Sequence, residues 1–152
     1  MAPPVPGPSH QRLARLAGHW SGTERMPPSQ WVSREMVAAA DIRASVVAGG
    51  FVLSWRYAQH QGNREAYAGQ GVLWIDPETD GVVLDWWDSM GGAHQRFTGA
   101  WEGDTLTLRS QTSRGHSRGT WTLDGDRLNR VLEVSPEGET WVVSMSGTYT
   151  RG

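Results

Sequence analysis

Three charged residues, Glu24, Asp88 and Arg130, fall where the two-residue alternation of a strand turns them toward apolar neighbours. A charge in such surroundings is costly unless it is paired or solvated, so each needs a partner. One reading is an internal salt bridge, for instance Glu24 with Arg130, that fixes the fold. A second has one of them meet a polar group of a bound molecule. A third is catalytic: a carboxylate whose pKa is raised by burial can act as general acid or base, with Asp88, Glu24 and Tyr57 as candidates and Arg130 as anion stabiliser. The residues leave all three open.

Aromatic side chains surround these charges. Nine tryptophans stand against two phenylalanines, and rings of this size pack a core or line a binding surface. Asp85-Trp86-Trp87-Asp88-Ser89-Met90-Gly91-Gly92 concentrates the pattern, with two indoles between two carboxylates and then a glycine pair that ends the strand. The candidate ligand contacts are Trp20, Glu24, Trp55, Tyr57, Trp86, Asp88, Met90, Trp121, Arg130, Trp141 and Met145.

Other constellations carry less. Gly115-His116-Ser117-Arg118-Gly119 has the letters of a hydrolase nucleophile elbow, but that chemistry needs a strand, a strained turn and a helix. Here Thr120-Trp121-Thr122-Leu123 continues as strand. Asp88, Ser89 and His94 spell a triad, yet adjacent residues of one strand point to opposite faces and cannot form a relay. The five histidines, at 10, 19, 60, 94 and 116, show no metal-ligand spacing, so no metal site is expected.

Composition narrows the classes further. The chain has 152 residues and a net charge of -2 with signs mixed, which argues against nucleic acid or an anionic membrane as partner. The absence of cysteine excludes a disulfide frame, thiolate zinc sites and cysteine catalysis. No signal-like opening and no run of about 20 apolar residues is present, so a cytoplasmic protein is expected.

The elements that must position these residues are short strands. Nineteen glycines and eight prolines punctuate the chain. Residues 1–10 read as a flexible proline-rich tail and 11–152 as one domain, opened by a short helix over 11–17 in which Leu13, Leu16 and Ala17 share a face. Ten strands follow, at about 19–26, 35–47, 51–59, 66–75, 82–89, 94–101, 104–111, 116–123, 127–134 and 140–150. Sequential hairpins imply an all-β, antiparallel, up-and-down barrel. About eight strands already leave space for a small ligand in some barrels, so ten suggest a cavity.

Hairpin parity assigns faces, because residues opposite each other across a pair point the same way. A loop over 76–81 sets Gly71 against Trp86 and Gly69 against Asp88, both inward, and sends Asp85 and Trp87 outward. A turn at Glu102-Gly103 sets Gly99 against Leu106 and Phe97 against Leu108. The same logic turns Trp121, Leu123, Leu128, Arg130 and Leu132 inward, with Phe51, Leu53, Trp55 and Tyr57, and with Trp141, Val143 and Met145. Met26-Pro27-Pro28-Ser29-Gln30-Trp31 reads as a loop that forms a lid or, like Trp87, a homodimer contact.

These residues carry a resemblance. Gly18-His19-Trp20-Ser21-Gly22 after a short helix looks like the glycine-x-tryptophan opening of lipocalin-like barrels. Together with Gly69-x-Gly71, Asp76-Pro77, Trp86-x-Asp88-Ser89-Met90-Gly91, Gly103-Asp104-Thr105-Leu106-Thr107-Leu108 and Gly147-Thr148-Tyr149, it resembles a bacterial family of small lipocalin-like domains of unknown function, distantly related to the nitrobindins. The resemblance implies a calycin-type barrel around an internal cavity and no settled activity. Nitrobindins hold heme through a histidine near the chain's end, and this chain has none after His116. The expectation is a binding barrel for a small hydrophobic molecule, aromatic or polycyclic, without a cofactor. The alternatives are a cyclase- or isomerase-type enzyme acting by acid-base catalysis, and a heme protein.

Overall fold

The computed structural model describes residues 2–30 and 32–152, so Trp31 of the Met26–Trp31 loop lies outside the described residues. Ten strands follow one helix: α1 (Pro8–Ala14), β1 (Gly18–Met26), β2 (Met36–Val47), β3 (Val52–Gln61), β4 (Arg64–Ile75), β5 (Val82–Asp88), β6 (Gln95–Glu102), β7 (Thr105–Thr112), β8 (Gly115–Asp124), β9 (Arg127–Ser135) and β10 (Val142–Arg151). Every strand pairs antiparallel with its neighbour in sequence, and β1 pairs with β10, so the sheet closes into a barrel. The helix starts three residues before the expected 11, because proline suits a first helical turn.

One end of the barrel is shut. Leu13 and Leu16 are buried there, and Trp20 is wholly buried with its indole Nε1 donating to the Leu16 carbonyl at 2.9 Å. Arg151, the last residue of β10, lies 4.5 Å over the Trp20 ring and donates to the carbonyls of Arg15, Ala17 and Gly125. The guanidinium thus ties helix, first strand and last strand together at the closed end. The opposite end carries the loops 27–35, 62–63, 89–94, 113–114 and 136–141. No helix of the described residues is long and apolar enough to cross a membrane.

The expected register holds for most of the barrel and changes at the β6–β7 turn and in β10. Gly71 faces Trp86 and Gly69 faces Asp88, with Trp86 buried and Trp87 39 % exposed, which is the register expected for β4 and β5. Leu123 pairs with Leu128 and Trp121 with Arg130 as expected. Between β6 and β7, however, Gly99 faces Leu108 rather than Leu106, because the turn is Gly103-Asp104 with Gly103 at φ +60°. That shift is by two residues, so Phe97, Leu106 and Leu108 still point inward. In β10 a bulge between Val143 and Met145 adds a residue and reverses the phase. Met145 is buried as expected, but Val143 faces out and Trp141 precedes the strand. Phe51 likewise falls before β3, in a 3-10 turn, where its ring meets His10 edge-on.

The outer face of β5 is covered too. Asp85 points outward yet is only 9 % exposed, since it accepts from Trp74 Nε1 at 2.9 Å, Arg96 Nε at 2.8 Å and His94 Nε2 at 2.7 Å. Burial works to raise its pKa, but Arg96, Trp74 and His94 outweigh that and hold it at about 2. A folded-state pKa below the ordinary 3.8 means the stabilisation is present above pH 4 and is lost as pH falls toward 2. Arg96 and His94 face solvent, so screening limits the effect to about 1 kcal/mol. In Asp85→Asn, urea denaturation is expected to give that loss at pH 7, with the gap from the parent closing between pH 4 and pH 2.

Candidate functional site

Glu24 is the centre of the interior. It sits in β1 with no exposed surface, and the alternation that turns Trp20 and Gly22 to the inner face places it there. Both carboxylate oxygens are occupied: the phenol of Tyr57 donates to Oε1 and that of Tyr149 to Oε2, while Gln59 Nε2 donates to Oε1 at 2.8 Å. Arg130 Nη1 stands 3.9 Å from Oε2. Burial pushes the Tyr57 and Tyr149 phenols well above the usual tyrosine range, and the nearby Glu24 carboxylate adds to it. Both therefore stay protonated and act as donors. The internal salt bridge expected from the sequence exists, with two phenols and an amide around it.

Arg130 is held from both sides. Its guanidinium carbon lies 5.3 Å from the Tyr57 ring and 5.5 Å from the Trp121 ring, and its side chain is 12 % exposed. Tyr57 also packs edge-on against Tyr67, 5.7 Å between ring centres, and near Trp86 at 6.2 Å.

Asp88 forms a second polar group at the end of β5. Tyr67 donates to its Oδ2 at 2.7 Å, Trp86 Nε1 to the same oxygen at 3.0 Å, and the Met90 backbone N–H to Oδ1 at 2.9 Å. Burial tends to raise its pKa, but these three donors prevail and keep the carboxyl below the ordinary range. The glycines opposite explain how Trp86 lies flat there. A Cβ on Gly69 would stand 2.1 Å from the Trp86 ring, and one on Gly71 would stand 2.8 Å from Leu84.

Beside these polar groups the barrel holds a partly open cavity of about 140 Å3. Trp55, Trp86, Phe97 and Trp121 are its aromatic walls, and Leu16, Leu73, Leu84 and Leu106 its aliphatic surface. Asp88, Tyr67, Gln95, Ser117 and Arg130 supply the polar edge. Larger spaces are open grooves on the surface, such as one of about 480 Å3 between Arg43, Arg56 and Trp87.

The candidate residues divide accordingly. Trp55, Trp86, Asp88, Trp121 and Arg130 line the cavity, and Glu24 and Tyr57 adjoin it through Arg130. Trp20 lies under Arg151 at the closed end, and Met145 is buried on β10 but lines no part of the cavity. Met90 is 79 % exposed in the loop after β5. Trp141 lies on the outer face with Arg118 4.1 Å over its ring and His116 edge-on to it. Sequence reasoning misses Tyr67, Gln59, Ser117 and Tyr149, although each is in phase with a residue that parity turns inward: Tyr67 with Gly69, Gln59 with Tyr57, Ser117 with Trp121, Tyr149 with Met145. The signal is present in the alternation, but these side chains are polar or lie near strand ends, where hydropathy does not mark them as interior.

A family model describing proteins of unknown function, DUF1579, matches residues 5–151. The chain belongs to that family. No curated protein matches it. Among solved structures, the barrel is similar to the crystal structure of Rv2717c from M. tuberculosis, with a TM-score of 0.75 at 16 % identity over 96 % of this chain and 98 % of that one. It is also similar to a point mutant of the fluorescent protein UnaG, with a TM-score of 0.57 at 10 % identity over 92 % and 98 % of the two chains. At these identities the likeness concerns the fold, a closed ten-stranded antiparallel barrel with one short helix near its start.

For the family member described here, the Glu24 cluster has a stability signature. Removing one phenol leaves a buried carboxylate oxygen short of a donor, which costs about 1–3 kcal/mol. Tyr57→Phe and Tyr149→Phe are each expected to lower the unfolding free energy by that amount. Because the two share one acceptor group, the double variant should depart from additivity by more than about 0.5 kcal/mol in urea denaturation.

Proposed function

We propose that the protein binds a small hydrophobic molecule with an aromatic body inside the barrel. The observation that carries this reading is the partly open cavity of about 140 Å3, apolar and aromatic on its walls and polar along one edge. Ligand sites have this composition: mostly apolar surface with a few placed polar groups that orient the guest. The size sets a lower bound on the guest. A closed engineered cavity of about 150 Å3 lined by aliphatic and aromatic side chains takes up benzene, so this partly open space accommodates at least one ring.

The acid-base alternative lacks support. Asp88 is held ionised by three donors, and the Tyr57 phenol is pushed far above neutrality, whereas proton transfer works best with a pKa near the working pH. The oxygens of Glu24 are already taken by Tyr57, Gln59 and Tyr149. The residues do not fit heme either. Among the described residues no histidine lines the cavity, His94 is engaged with Asp85, and His116 packs on Trp141.

Titration with indole or toluene, followed by NMR of the indole N–H resonances, tests the reading. Saturable shifts are expected for the Nε1 protons of Trp86 and Trp121. Leu132→Trp, which fills the cavity from its half-buried rim, should weaken binding at least tenfold while leaving the circular dichroism spectrum intact. Equal affinity in the two proteins, or no saturation in the parent, would overturn the proposal.

A further inference from the structure

The wall of the barrel is incomplete between β6 and β7. Their pairing runs from Glu102 and Thr105 to Thr98 and Arg109 and stops there, although both strands continue toward the open end. Residues 95–97 stay paired to β5 and residues 110–112 to β8, so the two edges separate with no ladder between them. By contrast, β7 pairs with β8 along its whole length, from Thr105 to Thr112. A side-chain contact crosses the gap in place of the ladder: Gln95 Nε2 donates to Ser110 Oγ at 3.3 Å. A neutral hydrogen bond of this kind is worth about 1 kcal/mol, so it closes the gap only weakly.

Both sides of the gap are hollow. Gln95 and Ser117 line the cavity, while Ser110 and Ser117 line a groove of about 410 Å3 on the outside, so the two spaces adjoin at this point of the wall. The groove is basic. Arg109 and Arg118 stand directly opposite each other on β7 and β8, and like charges so placed repel. Arg118 is compensated: it donates from Nε and Nη2 to Glu133 at 3.2 and 2.8 Å and lies over the Trp141 ring, 4.1 Å from its centre. Among the described residues Arg109 makes no hydrogen bond or ion pair, and no carboxylate lines the groove. The interior has the opposite balance, with the carboxylates of Glu24 and Asp88 near the single guanidinium of Arg130. An anionic group is therefore favoured outside the wall and disfavoured inside it, whereas an apolar ring has the reverse preference.

We infer that the guest is an aromatic monocarboxylate that spans the gap: its ring lies in the cavity, a short aliphatic chain passes between β6 and β7 by displacing the Gln95–Ser110 hydrogen bond, and its carboxylate meets Arg109 in the groove. The inference rests on the binding reading above and adds to it the charged end of the guest and its route. Entering ring first, such a molecule takes only its apolar part out of water, and the charge stays at the surface. One negative charge matches one unbalanced guanidinium, whose planar fork suits a carboxylate.

Phenylbutyrate and phenylbutanol, equal in length and different in charge, test this, with toluene as the ring alone. NMR of the indole N–H resonances reads both spaces, because Trp121 lines the cavity and Trp141 the groove. Phenylbutyrate is expected to shift both resonances at one affinity, and toluene that of Trp121 alone. Phenylbutyrate should bind about fivefold more tightly than phenylbutanol at low salt, the upper range for an exposed ion pair, and the margin should shrink as salt is added. In Arg109→Gln, an exposed position outside the cavity, the margin should fall to within about twofold while toluene binds as before. The two resonances of the parent protein decide independently of that variant. Shifts at Trp141 alone would mean that the anion sits in the groove without entering, and shifts at Trp121 alone that no part of it reaches the groove. Either result overturns the inference, as does equal binding of phenylbutyrate and phenylbutanol, a margin that survives Arg109→Gln, or failure of phenylbutyrate to bind where toluene does; each leaves the cavity a binding site on the evidence of toluene. Binding of none of the three would remove the binding reading itself, and this inference with it.

Discussion

The closed barrel depends on how one buried carboxylate is satisfied. Glu24 belongs to β1, and the groups that meet it come from β3, β9 and β10: Tyr57 and Gln59, Arg130, and Tyr149. An ion taken out of water costs several kcal/mol, and a partly satisfied network is worse than an apolar one. A sheet left open at the β1–β10 seam cannot satisfy Glu24, because Tyr149 and Arg130 reach it only across that seam. The charge thus contributes less to overall stability than to the choice of one topology. Any slip of β10 against β1 by one residue would turn Tyr149 outward and leave an oxygen without its donor.

Once closure is set, glycine decides where the tryptophans lie. Trp86 and Trp121 fold back along the interior wall over Gly69 and Gly119, where a Cβ would stand 2.1 and 2.5 Å from their rings. Flattened against the sheet in this way, the indoles leave the barrel axis partly empty. Other tryptophans serve different ends: Trp20 seals the closed end beneath Arg151, Trp74 donates to Asp85 on the outside, and Trp141 lies over Arg118. The abundance of indole in the chain therefore overstates the aromatic content of the cavity, which takes three of the eight tryptophans among the described residues.

Most of the architecture is legible in the chain because hairpins propagate parity. Turn residues locate the reversals, each reversal fixes which side chains share a face, and the misplaced turn at Gly103-Asp104 is harmless because a shift of two preserves the faces. What parity cannot foresee is a bulge. The extra residue between Val143 and Met145 has no signal in Val142-Val143-Ser144-Met145, and it alone moves Val143 to the outer face. Met90 is out of reach for a related reason: alternation carries past the end of β5, where the chain already turns at Asp88. The pairing of Glu24 with Arg130 is legible, since both are inward charges of opposite sign. The donation of two phenols to it is not: Tyr57 reads as an inward acid-base candidate or ligand contact, and Tyr149 is not singled out as interior at all.

The interior polar groups differ in what they leave over. Around Glu24 and around Asp88, donors and acceptors consume one another, so neither carboxylate has a role left to play toward a guest. Saturated groups of this kind are rigid, and rigidity at the edge of a cavity reduces the ordering that binding would otherwise require. Arg130 differs because its charge meets Glu24 only at ion-pair distance, 3.9 Å, while its Nε is buried among the rings of Tyr57 and Trp121 without a hydrogen-bond partner.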